Sequence, residues 1–242
     1  MRRKNLIKAL LFDIFGTVVD WRSSVIKECI YLEEITNIKG DWEKLTDLWR
    51  QNYVPSMNKV RNGEKKWVNL DTLHKESLIK ILRELNIHGF TEENINHLNK
   101  AWHRLTPWND SVEGLNLLKA NFSISTLSNG GIDLLTNMAN KQNLPWDNIF
   151  SAETFMHYKP DPETYLGAVN KLHHEAHEVM LVAAHNQDLL AAKSYGLKTA
   201  FVLRAREYGP NQDFDLKADP SIDVEASDFI DLYHKLNLYN NN

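Results

Sequence analysis

Four short runs dense in Val, Ile and Leu stand out along the chain, at Ile7 to Phe12, Phe122 to Leu127, Val179 to Ala184 and Thr199 to Leu203. Their length and lack of a polar face predict buried strands. Helix-like stretches fall between the last three, at Asp133 to Gln142, Pro162 to Leu172 and Asp188 to Tyr195, with Gly196 as the stop after the third. Such alternation predicts an α/β fold: a parallel sheet with helices on both faces. Trp21 to Arg104 follows a different pattern, with Trp, Leu, Ile and Tyr at helical spacing among many charges and no convincing strand. Asn62-Gly63 and His88-Gly89 punctuate this region and Thr106-Pro107 closes it. The expected organisation is a core of residues 1–20 and 105–242 with a helical domain, 21–104, inserted after the first strand. Asn240 to Asn242 read as a frayed terminus.

Composition narrows the partners. The net charge is -4 and no dense Lys/Arg block occurs, so nucleic acid is not an expected partner. A length of 242 residues with 43% hydrophobic content suffices for one sizeable core and a modest second domain. Cys29 is the sole cysteine, which rules out an intramolecular disulfide and any CxxC or Cys/His zinc pattern, and fits a reducing cytoplasm. Lys8 and Asp13 interrupt the apolar stretch of the opening MRRKNLIKALL, and no small-residue cleavage site follows, so it is not read as a signal peptide. No apolar run is long enough to span a bilayer, and no membrane partner is expected.

Chemistry collects where the apolar runs stop. In open parallel sheets the ligand crevice lies beyond the carboxyl ends of the strands. Asp13 stands at such an end, followed by Gly16 and Thr17, which allow a tight turn and bring a hydroxyl near the carboxylate. A carboxylate there can act as a nucleophile or hold a metal, and as plain structure it would be a turn or cap residue. "STLSNGG" ends another run with Ser128 and Asn129, which also suit an ordinary turn. In "HYKPDPETY", the proline after Lys159 biases that lysine toward extended backbone, where its ammonium can hold a strand-tip carboxylate ionised or simply be solvated. "LVAAHNQD" supplies His185, Asn186 and Asp188 at a fourth end.

Asp13, Ser128/Asn129, Lys159 and Asp188, in that order from Leu11 to about Gly209, resemble the four motifs of the haloacid dehalogenase (HAD) superfamily. The resemblance implies a Rossmann-like HAD core with a C1-type helical cap inserted after the first motif. Phosphatases of that superfamily carry a second acid two residues after the nucleophile, to protonate an alkoxide leaving group, and this chain has Phe15 there. General-acid help is worth typically about 10²- to 10⁴-fold. A halide leaves without a proton, so the missing acid points away from phosphate esters.

"FDIFGTVVD" is similar to the FDxxGT motif of the type II L-2-haloacid dehalogenases. That branch implies hydrolytic dehalogenation of a short 2-haloalkanoic acid through an aspartyl ester, giving a 2-hydroxy acid with no cofactor or metal. Its pattern assigns Asp13 as nucleophile, with Thr17 and Ser128 beside it. Lys159 and Asp188 order the site and the hydrolytic water. Arg50, in "LWRQNY", and Asn129 stand near the halide and the substrate carboxylate, with Tyr165, Phe15 and Trp67 completing the substrate contacts. Trp67 suits a cap core equally well. Homodimers are common in the branch, and the cap is an expected dimer surface.

The fourth motif departs from the branch's SSNxxD pattern: Ala183, Ala184 and His185 replace two hydroxyls and an Asn. His185 reads either as a base for water or as a neutral hydrogen-bonding histidine. Other readings stay open on these residues: another electrophile such as a strained-ring amino acid, a phosphomonoester, or a non-catalytic binding relative. The run "HHEAHE" is one residue short of HExxH and suits an exposed helix face, and Cys29 lacks an activating partner, which suits a structural thiol.

Overall fold

The computed structural model describes residues 6–241. Within them the chain divides into two compact units, one drawn from residues 6–20 and 107–241, the other Trp21–Thr106.

The first unit is built on a six-stranded sheet: β1 (Ala9–Phe12), β4 (Ser123–Ser128), β5 (Asn148–Ser151), β6 (Val179–Ala183), β7 (Lys198–Val202) and β8 (Val224–Ala226); the two-residue strands β2 (Val19–Asp20) and β3 (Thr106–Pro107) are not part of it. The strand order is β5-β4-β1-β6-β7-β8 and the pairings are parallel, with Leu11 opposite Ser125 on one side and Leu181 on the other. Every residue of β1 and of β6 is buried, which is why both read as unbroken apolar runs. Burying side chains such as Leu10, Leu11 and Phe12, all 0% exposed, is worth about 1.5–3 kcal/mol each. The edge strands β5 and β8 escape a periodicity reading because they are only 4 and 3 residues long and each includes an exposed position.

Helices α6 (Ser111–Lys119), α7 (Ile132–Gln142), α8 (Ala152–Phe155), α9 (Pro162–Lys171), α10 (Asn186–Ser194) and α11 (Phe229–Asn241) belong to the same unit. Gly196, at φ +88°, ends α10 as expected. The frayed terminus needs correction: α11 runs through Asn241, and the Asn240 side chain accepts from Ile7 N at 3.0 Å and donates to Ile7 O at 3.1 Å. Asn242 and the first five residues of MRRKNLIKALL lie outside the described residues. "HHEAHE" forms a turn and a 3₁₀ segment rather than a helix face, with His173, Glu175 and His177 exposed.

The second unit holds α1 (Trp21–Thr36), α2 (Trp42–Gln51), α3 (Tyr53–Arg61), α4 (Leu70–Glu84) and α5 (Glu92–Asn99). Side-chain caps open several of them: Asp41 accepts from Lys44 N, Asn69 from Thr72 N and Thr91 from Asn94 N. Its core is aromatic, with Trp102 stacked on His74 at 4.4 Å and meeting Trp49 edge-on at 5.4 Å. Burial pulls His74 down to about 3, so its ring is neutral. Cys29 is fully buried in α1, and burial together with Glu28 pushes its thiol up to about 12, leaving it inert. Among the described residues no helix is long and apolar enough to cross a membrane.

Candidate active site

The sheet order reverses its winding at β1, whose neighbours β4 and β6 lie on opposite sides. Connections diverging from that point leave a crevice at the carboxyl ends of the strands. Asp13 follows β1 directly, and its N–H donates to Val182 O at 3.0 Å. The chain then turns through Gly16, at φ +89°, whose N–H meets Val19 O at 3.0 Å. A side chain is doubly disfavoured there, because an ideal Cβ would stand 2.0 Å from Glu207 Oε1. The turn aims Thr17 back, so that Oγ1 donates to Asp13 Oδ2 at 2.8 Å and accepts from Ala184 N at 2.9 Å.

Lys159 supplies the opposite charge. Its Nζ donates to Asp13 Oδ1 at 2.9 Å and pairs with Asp188 Oδ2, while its backbone N–H donates to Asn129 Oδ1 at 2.8 Å. Burial alone would push the Asp13 carboxyl up, but Lys159 and His185 hold it well below the usual carboxylate range. Burial opposes the ammonium too, yet Asp13 and Asp188 keep Lys159 above its ordinary value. Both groups are therefore charged at neutral pH. Two positional expectations change: Lys159 lies in the turn between α8 and α9 rather than at a strand tip, and Asp188 sits in the first turn of α10. Tyr165, expected at the substrate, is instead fully buried and donates to Asp188 Oδ1 at 2.6 Å.

His185 corrects the expectation of a neutral ring or a base. Its Nδ1 is 3.2 Å from Asp13 Oδ2 and its Nε2 is 2.8 Å from Glu207 Oε2. Burial disfavours the charged ring, but Glu207 and Asp13 outweigh it and raise His185 well above its ordinary value. Held as an imidazolium by a carboxylate near each nitrogen, the ring has no lone pair left for base work.

Of the remaining expected residues, Ser128 ends β4 and its Oγ accepts from Gly130 N at 3.1 Å, while Asn129 is buried and braces the Lys159 loop. Phe15 is 2% exposed, its ring tip beside Gly130. Arg50 and Trp67 belong to the second unit. The Arg50 guanidinium lies over the rings of Tyr53, at 4.4 Å, and Trp21, at 5.5 Å. Trp67 is half-buried in the segment before α4.

Sequence reasoning missed Glu207, 1% exposed, and Arg204, 7% exposed. Both lie in the loop that follows β7, so the strand-end rule that found Asp13 was the signal available. Arg204 Nε donates to Thr17 O at 2.9 Å, and its two other nitrogens grip Asp110 at 2.6 and 2.9 Å. Trp108 Nε1 donates to Gly16 O at 2.8 Å. The loop carrying Asp13 is thus held from outside as well as from within.

The chain belongs to the haloacid dehalogenase-like hydrolase family, whose model matches residues 7–196. Among curated relatives it is similar to (S)-2-haloacid dehalogenase 1 of Pseudomonas sp. (strain CBS-3), 30% identical over 201 residues, covering 82% of this chain and 85% of the relative. Among solved structures, L-2-haloacid dehalogenase PA0810 is 46% identical with a TM-score of 0.93, covering 96% of this chain and 99% of that one. The defluorinating L-2-haloacid dehalogenase Rha0230 is 43% identical, also with a TM-score of 0.93, over 96% and 95% of the two chains.

Proposed function

We propose that this protein is an (S)-2-haloacid dehalogenase, hydrolysing short 2-haloalkanoic acids to 2-hydroxy acids. One observation carries the reading: an ionised Asp13 at the switch point, paired with Lys159, with an apolar Phe15 where a leaving alkoxide would need an acid. Asp13 attacks the carbon bearing halogen, the carbon–halogen bond breaks, and an ester forms on Asp13. Water then cleaves the ester at the aspartyl carbonyl and releases the hydroxy acid. The named relatives, all dehalogenases of this type, support the same chemistry. Phosphate-ester hydrolysis is disfavoured by Phe15.

In this reading 1–20 and 105–242 form the catalytic core and 21–104 the cap. Ser128 and Asn129 bind the substrate carboxylate and the departing halide, where fixed donors stabilise developing charge. Phe15 excludes water from the first step. Tyr165 acts by holding Asp188, on the strength of its hydrogen bond. Catalysis needs no metal, because the cations of Lys159 and His185 already stand at both oxygens of Asp13, where a divalent ion would have to bind.

The test is halide release from L-2-chloropropionate and from haloacetates in excess EDTA, read beside the intact protein mass. Undiminished turnover in chelator is expected; loss of activity restored by Mg²⁺ would overturn the metal-free reading, and the absence of both turnover and a mass adduct would overturn dehalogenation.

A cytoplasmic setting and a homodimer belong to the same proposal. The lone, buried Cys29 supports the first, and the exposed Ile30, Tyr31 and Ile35 of α1 support the second. Light scattering on purified protein is expected to give twice the chain mass of 28.1 kDa, and a monomer at all concentrations would remove the dimer.

A further inference from the structure

We propose that Glu207 and His185 form a charged pair that serves the hydrolytic half of the reaction: Glu207 positions His185, whose Nδ1–H, with the Thr17 hydroxyl, makes an oxyanion hole at Asp13 Oδ2. This rests on Asp13 as nucleophile, the reading given above.

The two oxygens of Asp13 are not equivalent. Oδ2 faces two donors, Thr17 Oγ1 at 2.8 Å and His185 Nδ1 at 3.2 Å, whereas Oδ1 faces Lys159 Nζ at 2.9 Å. The Thr17 hydrogen bond and the His185 cation together draw charge from Oδ2, so Oδ1 attacks and becomes the ester oxygen, and Oδ2 becomes the ester carbonyl. Water then adds to the aspartyl carbon and the carbonyl electron pair moves onto Oδ2. Collapse restores the carbonyl and breaks the bond from that carbon to Oδ1, which leaves in the product. Asp188 takes one proton from the water and passes it to the departing alkoxide. The second proton is released when the new Asp13 carboxyl ionises. Charge builds at Oδ2, where the donors already stand, and an oxyanion-hole donor is worth about 10²- to 10³-fold.

Glu207 keeps this donor in place through the cycle. Once Asp13 is esterified its negative charge is gone, and Glu207, on the other ring nitrogen at 2.8 Å, is the anion that remains against His185. Gly16 belongs to the same device, since a side chain there would collide with the Glu207 carboxylate. The groups facing the ring are Asp13, Glu207 and Tyr208, with Lys159 on the far oxygen of Asp13 and Asp215 bonded to the neighbouring Asn186 N–H.

Glu207→Gln is the variant to make, with rapid-quench halide release reporting alkylation and intact mass following the ester. Alkylation is expected within about threefold of wild type and ester hydrolysis slowed about 10²-fold, so the adduct accumulates. The pH profile separates positioning from mere structure. Wild-type hydrolysis stays level across neutral pH, because Glu207 and Asp13 hold the ring charged; in Glu207→Gln it falls as pH rises, because the ring deprotonates more readily and a neutral ring, even with its one proton on Nδ1, donates to Oδ2 more weakly than the imidazolium does. Glu207→Asp, which keeps the charge, restores the level profile. If Glu207→Gln does not fold, His185→Gln is expected to accumulate the ester with slow hydrolysis that is independent of pH. Equal slowing of both half-reactions, or no new pH dependence, overturns the inference while wild-type turnover and adduct formation stand. A wild-type enzyme that forms no adduct overturns both readings.

Discussion

Asp13→Asn is expected to abolish halide release, with turnover down by at least about 10⁴-fold and no mass adduct after prolonged exposure to substrate. The amide is close to the carboxylate in shape, so Thr17, Lys159 and His185 keep a neighbour of nearly the right size, but the anion that attacks carbon is gone. The cost extends to stability. Lys159 and His185 are both buried against this carboxylate, and the variant leaves Lys159 with Asp188 and His185 with Glu207. Because folding depresses the Asp13 pKa, its ionisation stabilises the native state above the unfolded value of about 3.9, and that contribution is lost as pH falls toward the depressed value. Wild type should therefore melt higher than Asp13→Asn at neutral pH, with the gap narrowing below about pH 4. Halide assay, intact mass and melting curves on one preparation check all three statements. Residual turnover above a thousandth of wild type would show that another group can attack.

Arg204→Ala is expected to destabilise the first unit by about 3–5 kcal/mol, the range for breaking a buried ion pair from one side. The guanidinium is 7% exposed, grips Asp110 through two nitrogens and donates its third to Thr17 O. It also packs over the rings of Phe229, at 4.9 Å, and Trp108, at 5.6 Å. Truncation leaves Asp110 facing that apolar wall, with Phe229 N as a remaining donor. At about 2–4 °C per kcal/mol for a chain of this size, the melting temperature should drop by about 6–20 °C. Lysine should not rescue, since a single ammonium cannot reproduce the two-pronged grip. Asp110→Asn should cost less in the Arg204→Ala background than in wild type, a non-additivity that marks direct coupling. A loss below about 1 kcal/mol would mean that the pair behaves as an exposed one.

The parts of the site legible without any family pattern share one property: a local cause. Asp13 and Ser128 are marked because apolar runs end at them, and Gly16 and Thr17 because a turn must follow. Lys159 and Asp188 were recognised through the motif pattern, and their placement on a turn and in a helix's first turn did not disturb the contacts they make. Arg50 was assigned from the same pattern, and its stacking on Tyr53 and Trp21 is a property of the helical unit alone. The edge strands β5 and β8 were not legible because half-exposed short strands lack the continuous apolar signal of a buried one.

The sequence by itself determined the alternation of buried strands and helices and the turn after β1, which follow from apolar periodicity and from residues close together in the chain, and, through its resemblance to a known family, the motif residues. The tertiary structure decided what no local pattern encodes. Glu207 reaches His185 across 22 positions of chain, and Lys159 reaches Asp13 across 146. The charge of His185 is set by carboxylates from two distant segments of the chain, Asp13 and Glu207. The free energy that sets a protonation state or aims a buried donor is a sum over neighbours in space, and only folding makes Asp13, Lys159, His185 and Glu207 neighbours.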